Sequence, residues 1–497
     1  SGSSTGTEDT DYTIPATITI AANATTATGV LTPRHDTLFE NSETAIITIS
    51  GVSGGGASEN GTQSQTIAIT DKALNSGTQF TYTANTASAW LTDTEFTNSG
   101  HNDHIFDASA GGEDPYKTIN LHKALAYTNS GTAMLGSGEV IAIMDGGFQV
   151  NGMGSNSTHI EFQGKTITSY DTTNFTTYGS NNNHGTMVAG IAAGTYGSGA
   201  TMGVAPEASL HLHDYFGING AKYTPVWWTT GTADAEADGA VVQNNSWGFD
   251  EQYGAAPIDT VLAYKTNNSI TGAATLVHYQ GVDTDGDGTL DVGAGTSEKT
   301  WSEANWNSYV AALDSFQDTG VIVFALSNDA DKDDADISAG LPELFTDLKE
   351  AWINVANIDV EGTSSKTYTL ESAPCGITAE YCLGADGTGI TGAGGTHYDV
   401  NVGGVNYDYQ TSFGSSFAAP QVSGAIALLA THFPNHTPEK LADRLLASAY
   451  NMWADFQVDG TTTFGNGIEH GYSTDYGHGV MDIYAALQPI VSDSLGR

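Results

Sequence analysis

Short continuous apolar runs recur along much of the chain, at 140–144, 210–212, 241–243, 321–325 and 353–356. Between them stand stretches of helical composition, 187–193 and 441–450 among them. A strand buried on both faces reads as an unbroken apolar run, and strands that alternate with helices must cross over to pair in parallel. The pattern therefore predicts an α/β fold, a parallel sheet wrapped by helices, over residues 114–490, with a short tail at 491–497. The first 72 residues follow a different period. At 16–20, 45–49 and 66–70 apolar and polar positions alternate in twos amid Thr, Ala and Ser. That alternation predicts a small all-β sandwich. Residues 73–113 are polar and glycine-bearing and read as a connector, with one possible strand at 80–83.

Charge narrows the classes of partner. With 14 Lys and Arg against 57 Asp and Glu, the net charge is −43, which argues against nucleic acid or an anionic membrane surface as a partner. The acids are spread along the chain, as on a solvated acidic surface, and they favour solubility in salty water. No run of 18 apolar residues is present, so no membrane span is expected in this sequence. Cys375 and Cys382, seven positions apart, read as a local disulfide or as two buried thiols. The disulfide is the preferred reading, and loop-closure entropy would make it worth about 2.5 kcal/mol.

The stretch Gly414-Ser415-Ser416-Phe417-Ala418-Ala419-Pro420 reads as a serine opening a buried helix, with a glycine that permits a tight turn before it. Upstream, Asp145-Gly146-Gly147 closes an apolar run, His184-Gly185-Thr186 opens a helical one, and Ser327-Asn328 follows another. Peptide hydrolysis needs a nucleophile, a base, an orienter for the base and a donor for the developing oxyanion. These four residue types supply all of them. Their order, Asp, His, Asn, Ser, with these flanks, resembles the subtilisin-like serine proteases, and the likeness extends over about residues 114–490.

The resemblance implies a secreted or cell-surface serine endopeptidase acting on proteins or peptides. Ser416 would attack, His184 would carry the proton, Asp145 would hold the imidazole, and Asn328 would donate to the oxyanion. Ser246, Trp247, Gly248 and Ser327 would bind the substrate chain, with Trp247 facing a substrate side chain or buried in the sheet. Two positions depart from the family pattern: Ser415 and Gly146 stand where threonine is usual. The short cysteine pair and the Phe-Ala-Ala-Pro run are similar to autotransporter serine proteases. Residues 1–72 resemble the later part of a Calx-beta module, and an incomplete sandwich of this kind is expected to be completed in trans within a larger assembly. The competing reading is a surface-assembly or filament protein whose protease fold is inactive or used only for self-processing. An esterase reading lacks the Gly-x-Ser-x-Gly elbow.

One metal motif stands apart from these residues. Asp283, Asp285, Asp287 and Asp291 occupy positions 1, 3, 5 and 9 of a loop with Gly288 at position 6, and the Thr289 carbonyl falls at position 7. This spacing matches an EF-hand-like calcium loop, so structural calcium is the expected cofactor. Position 12 is Ala294 in place of the bidentate glutamate, which predicts weaker binding or a ligand from elsewhere, such as Glu298. The run Asp329, Asp331, Asp333, Asp334 and Asp336 reads as a solvated acidic loop.

Overall fold

The computed structural model describes residues 80–99, 114–148, 159–169, 183–197, 200–215, 224–248, 257–280, 302–362, 365–488 and 490. Before residue 80 it describes the short pieces 12–13, 17–20, 27, 32–33, 43–48, 52 and 64–69. The calcium-type loop 283–291 and the tail 491–497 lie outside the described residues.

The apolar runs form the centre of the structure. Strands β1 (Val140–Asp145), β2 (Ile167–Ser169), β3 (Ser209–Asp214), β4 (Val242–Asn245), β5 (Val321–Ala325), β6 (Trp352–Glu361), β7 (Thr367–Leu370) and β8 (Cys382–Ala385) make one sheet. Its order is β7-β6-β5-β4-β1-β3-β2, with β8 also beside β6. All neighbours are parallel except β6 and β7. Every residue of β4 and β5 is buried, as expected of strands covered on both faces. Helices flank the sheet: α1 (His184–Ala193) packs on β1 and β3, α2 (Pro225–Ala237) lies against α3 (Glu303–Gln317), which packs on β5, and α4 (Ser415–His432) packs on β4, β5 and β6. Of these, α4 is buried along almost its whole length, and its run of small residues lets it lie close to the sheet.

Chain order places the functional end. From β1 the chain adds β2 and β3 on one side, then returns to add β4 to β6 on the other. At such a reversal the connections leave in opposite directions, and a crevice opens at the carboxyl ends of the strands. Asp145 ends β1, and Ser246 follows β4 directly beside it.

Two expectations change on contact with the structure. From Phe80 to Ser99 the supposed connector is folded: Phe80–Tyr82 pairs antiparallel with Tyr127–Asn129, and helices Ala84–Trp90 and Thr94–Ser99 follow. Tyr82 packs its ring against Tyr127 and Tyr484, Phe96 is fully buried, and Ser99 Oγ accepts from Met202 N at 2.7 Å. This strand therefore joins the main body, where aromatic burial outweighs the polar composition of its surroundings.

The acidic loop after Asn328 is the second change. Asp331 and Asp333 are exposed, but Asp334 and Asp336 are buried. Asp334 accepts from the backbone N–H of Ala335 and Ile377, and Asp336 from those of Ser338 and Ala339. Burial, partly offset by those donors, pushes both carboxyls up to about 6. They are struts inside the fold and not a solvated face.

In the first 72 residues the described pieces form two antiparallel pairs, Tyr12–Thr13 with Thr32–Pro33 and Glu43–Thr48 with Ser64–Ile69. The rest of the expected sandwich lies outside the described residues. The cysteines do pair: Cys375 and Cys382 form a buried disulfide across the turn Gly376–Tyr381.

Candidate active site

β1 delivers Asp145 to the sheet edge of the crevice, buried, with Oδ1 accepting from the N–H of Gly146 at 2.6 Å. The same oxygen lies 2.8 Å from Nδ1 of His184. A carboxylate can only accept, so Nδ1 carries the proton and Nε2 presents its lone pair outward. The first turn of α1 is stitched to the end of β1 by two more bonds. Gly185 N donates to Gly146 O at 2.8 Å, and Thr186 Oγ1 donates to Gly147 O at 3.1 Å. A Cβ at position 185 would stand 2.8 Å from the ring of Phe148 and 3.0 Å from Gly146 O, so only glycine lets the strand end and the helix start close up. Burial acts to lower the pKa of His184, but the charge and hydrogen bond of Asp145 outweigh it and hold the imidazole above its ordinary value.

Ser416 is the second residue of α4, half-buried, next to Phe417, whose ring centroid lies 5.4 Å from that of His184. Its Oγ donates to Ser246 O at 3.2 Å, and among the described residues it makes no bond to His184. For a bond from this hydroxyl to Nε2 to form, the hydroxyl would have to leave that carbonyl. Gly414 precedes it at φ +134°, a conformation L side chains rarely adopt, and this turn aims the helix start into the crevice.

Asn328 is exposed, just past the end of β5. Its Oδ1 accepts from Ser415 N and lies within bonding distance of Ser415 Oγ, both at 2.9 Å. With the oxygen end held, the amide Nδ2 is the end left to donate. The N–H of Ser416 likewise has no acceptor among the described residues. The Ser415 hydroxyl donates to the carbonyl of Leu326, a partner that the sequence did not show because it lies 89 positions away.

The segment expected to bind substrate sits as follows. Ser246 Oγ donates to Ser416 O at 2.9 Å, so this residue and the serine hold each other reciprocally. Trp247 is only 7% exposed. Its ring stacks on Tyr215 and packs against Trp228 and Phe324, so it forms the floor beneath the strand and does not wall an open pocket. Gly248 lies against the carboxylate of Asp336, which a side chain there would strike. Ser327 is fixed by the loop around it, its Oγ accepting from Asp329 N at 3.2 Å and its carbonyl accepting from Ala373 N at 2.8 Å. Among the described residues no group of three or more His, Cys, Asp or Glu is placed to hold a metal ion. None of the described helices is long and apolar enough to cross a membrane.

The sequence profile described as "Subtilase family" matches residues 136–479, which contain all of these groups. The chain belongs to the subtilase family. Among curated relatives, this subtilase is 24% identical to an extracellular serine protease of Serratia marcescens, over 69% of its own length and 33% of that protein's. It is 26% identical to a calcium-dependent protease of Trichormus variabilis, over 78% of its own length and 50% of that protein's. Among solved structures, fervidolysin from Fervidobacterium pennivorans, described as a keratinolytic enzyme related to subtilisin, superposes with a TM-score of 0.46 at 21% identity. That match covers 72% of this subtilase and 44% of fervidolysin. The subtilase thus spans a third to a half of the length of these curated relatives.

Proposed function

We propose that this subtilase is an extracellular serine endopeptidase that cleaves peptide bonds with Ser416 as nucleophile, His184 as general base and acid, and Asp145 as the residue that orients the imidazole. Asn328 Nδ2 and the Ser416 N–H donate to the developing oxyanion. The observation that carries this reading is the 2.8 Å bond from His184 to Asp145 at the switch point of the sheet, beside the helix that opens with Ser416. In the reaction, Oγ attacks the substrate carbonyl as its proton passes to Nε2, and the imidazolium then gives that proton to the leaving amine. Water repeats the cycle to release the acyl group. Segment Ser246–Gly248 supplies backbone to an extended substrate chain over the aromatic floor of Trp247. The Serratia relative, named as extracellular, supports placement outside the cell.

A fluorophosphonate probe reacts only with an activated serine. Wild type is expected to take one equivalent on Ser416, and Ser416→Ala none. Equal labelling of both proteins would remove Ser416 as nucleophile.

The relative named as a calcium-dependent protease supports the reading of Asp283, Asp285, Asp287, Thr289 and Asp291 as a structural calcium loop. An ion that binds only the folded state stabilises it by mass action, by about 2.7 kcal/mol at a hundredfold excess over its Kd. Chelator is therefore expected to lower the thermal midpoint of wild type. The double variant Asp285→Ala, Asp287→Ala should start lower and respond less, and an identical response from both proteins would exclude this loop. Residues 1–72 are read as a separate β module ahead of the catalytic unit.

A further inference from the structure

In an α-helix each carbonyl accepts from the N–H four residues on. For Ser416 that donor would be residue 420, and residue 420 is proline, inside α4. Proline has no N–H, and its ring pushes against the carbonyl four residues before it. The carbonyl of Ser416 is therefore deprived of its helical partner. An unpaired carbonyl at a half-buried position is costly unless another donor reaches it.

The donor that reaches it is the Ser246 hydroxyl, 2.9 Å away. That hydroxyl has a single proton, and a directed chain of buried groups decides where it goes. Asn244 Nδ2 donates to Ser246 Oγ at 2.9 Å, and Ser423 Oγ donates to Asn244 Oδ1 at 2.9 Å. All three residues are buried. With Asn244 donating to its lone pair, Ser246 Oγ is left as the donor to Ser416. Asn244 lies in β4 and Ser246 just past its end, two positions on, close enough for the side-chain bond between them, and Ser423 lies on α4, which packs against this strand.

We propose that Ser246 is a positioning residue for catalysis: its hydroxyl, aimed by Asn244 and Ser423, replaces the helix bond that Pro420 denies to Ser416, and so fixes the peptide plane that leaves the nucleophile's Cα, and with it the set of the residue that carries Oγ. The inference rests on the reading of Ser416 as the nucleophile. The tether also sets the spacing between that serine and the Ser246–Gly248 segment. Losing it frees the Ser416 carbonyl to rotate, which misaligns groups that matter in the transition state more than in substrate binding.

The test is a cycle of Ser246→Ala, Pro420→Ala and the double variant, measured as kcat and KM on a peptide anilide and as the rate of fluorophosphonate labelling, with thermal midpoints to confirm folding. Ser246→Ala is expected to lower kcat and the labelling rate about tenfold with KM nearly unchanged. Pro420→Ala returns an N–H to position 420. In the Ser246→Ala background it should restore most of the lost kcat, a rescue that no general loosening of the core would give. Asn244→Ala should reproduce a smaller loss, about threefold, and it carries the test if Ser246→Ala does not fold. Wild-type labelling at Ser416 together with undiminished labelling of Ser246→Ala, a loss confined to KM, or a double variant as slow as Ser246→Ala would overturn the tether. Absence of label on wild type would overturn the nucleophile assignment itself, and the tether with it.

Discussion

Exchanging His184 for alanine is expected to lower kcat by about 10⁶-fold, and Asp145 for asparagine by about 10⁴-fold; the first magnitude is that of subtilisin's own histidine, the second that of a serine protease of another fold. The two losses differ because the residues do different things. Without the imidazole Ser416 Oγ loses the general base proposed for it, and the Ser246 carbonyl to which it donates is far too weak a base to take the proton. With asparagine at 145 the base remains, but the amide can present N–H to Nδ1, which leaves the wrong nitrogen protonated.

The pH profile separates the roles further. In the proposed mechanism His184 must be neutral to act as base, so kcat/KM should fall as pH drops through the pKa of that ring. Burial pulls that pKa down, while the carboxylate of Asp145, 2.8 Å away, pushes it up more strongly, so the acid limb of wild type should lie above the usual imidazole value of 6.5. Asp145→Asn removes the charge and leaves the burial, so its residual activity should show an acid limb at lower pH than wild type. Rate profiles between about pH 5 and about pH 9 check this. An acid limb that stays in place in Asp145→Asn would mean that another group sets it.

Much of the frame was legible because its signals are local. Strands buried on both faces announce themselves as unbroken apolar runs, and 140–144 and 321–325 became strands of the sheet with little adjustment. Asp145, His184, Asn328 and Ser416 stood out because each sits at an element boundary beside a residue that the boundary itself requires, such as Gly185 or Gly414. What escaped was decided at a distance. Phe80 and Tyr82 sit among polar residues, and their destination is set by Tyr127, His432 and Tyr484. Asp334 and Asp336 look solvated in a run of acids, yet backbone donors at 335, 377, 338 and 339 make their burial tolerable. Trp247 admitted both a substrate-facing and a buried reading, and only the rings of Tyr215, Trp228 and Phe324 decide between them. One distant relation did leave a local trace: a proline four residues after the serine leaves its carbonyl without a helix donor, and an outside donor is then required.

Replacing Asn328 with alanine is expected to lower kcat by about 10² to 10³, the loss seen when subtilisin is deprived of its oxyanion asparagine, with KM almost unchanged. The reason is that the amide has little to bind until the substrate carbonyl carries charge, so its contribution appears in the transition state alone. The direction of that amide follows from its other end. Oδ1 is held at 2.9 Å by the N–H of Ser415 and lies equally close to the Ser415 hydroxyl, which leaves Nδ2 as the donor. Space is tight on the same side: a Cβ at Gly414 would stand 2.9 Å from Oδ1. Gly414→Ala should therefore displace the amide and reproduce part of the Asn328→Ala loss, in kcat again, with added backbone strain at φ +134°. Ser415→Ala keeps the backbone donor and removes only the hydroxyl, so it should cost no more than about tenfold. Asn328→Asp puts an oxygen where the donor stood, and repulsion from the developing oxyanion should make it at least as slow as Asn328→Ala. An aspartate variant as fast as wild type, or an alanine variant whose loss lies in KM, would place the oxyanion donor elsewhere.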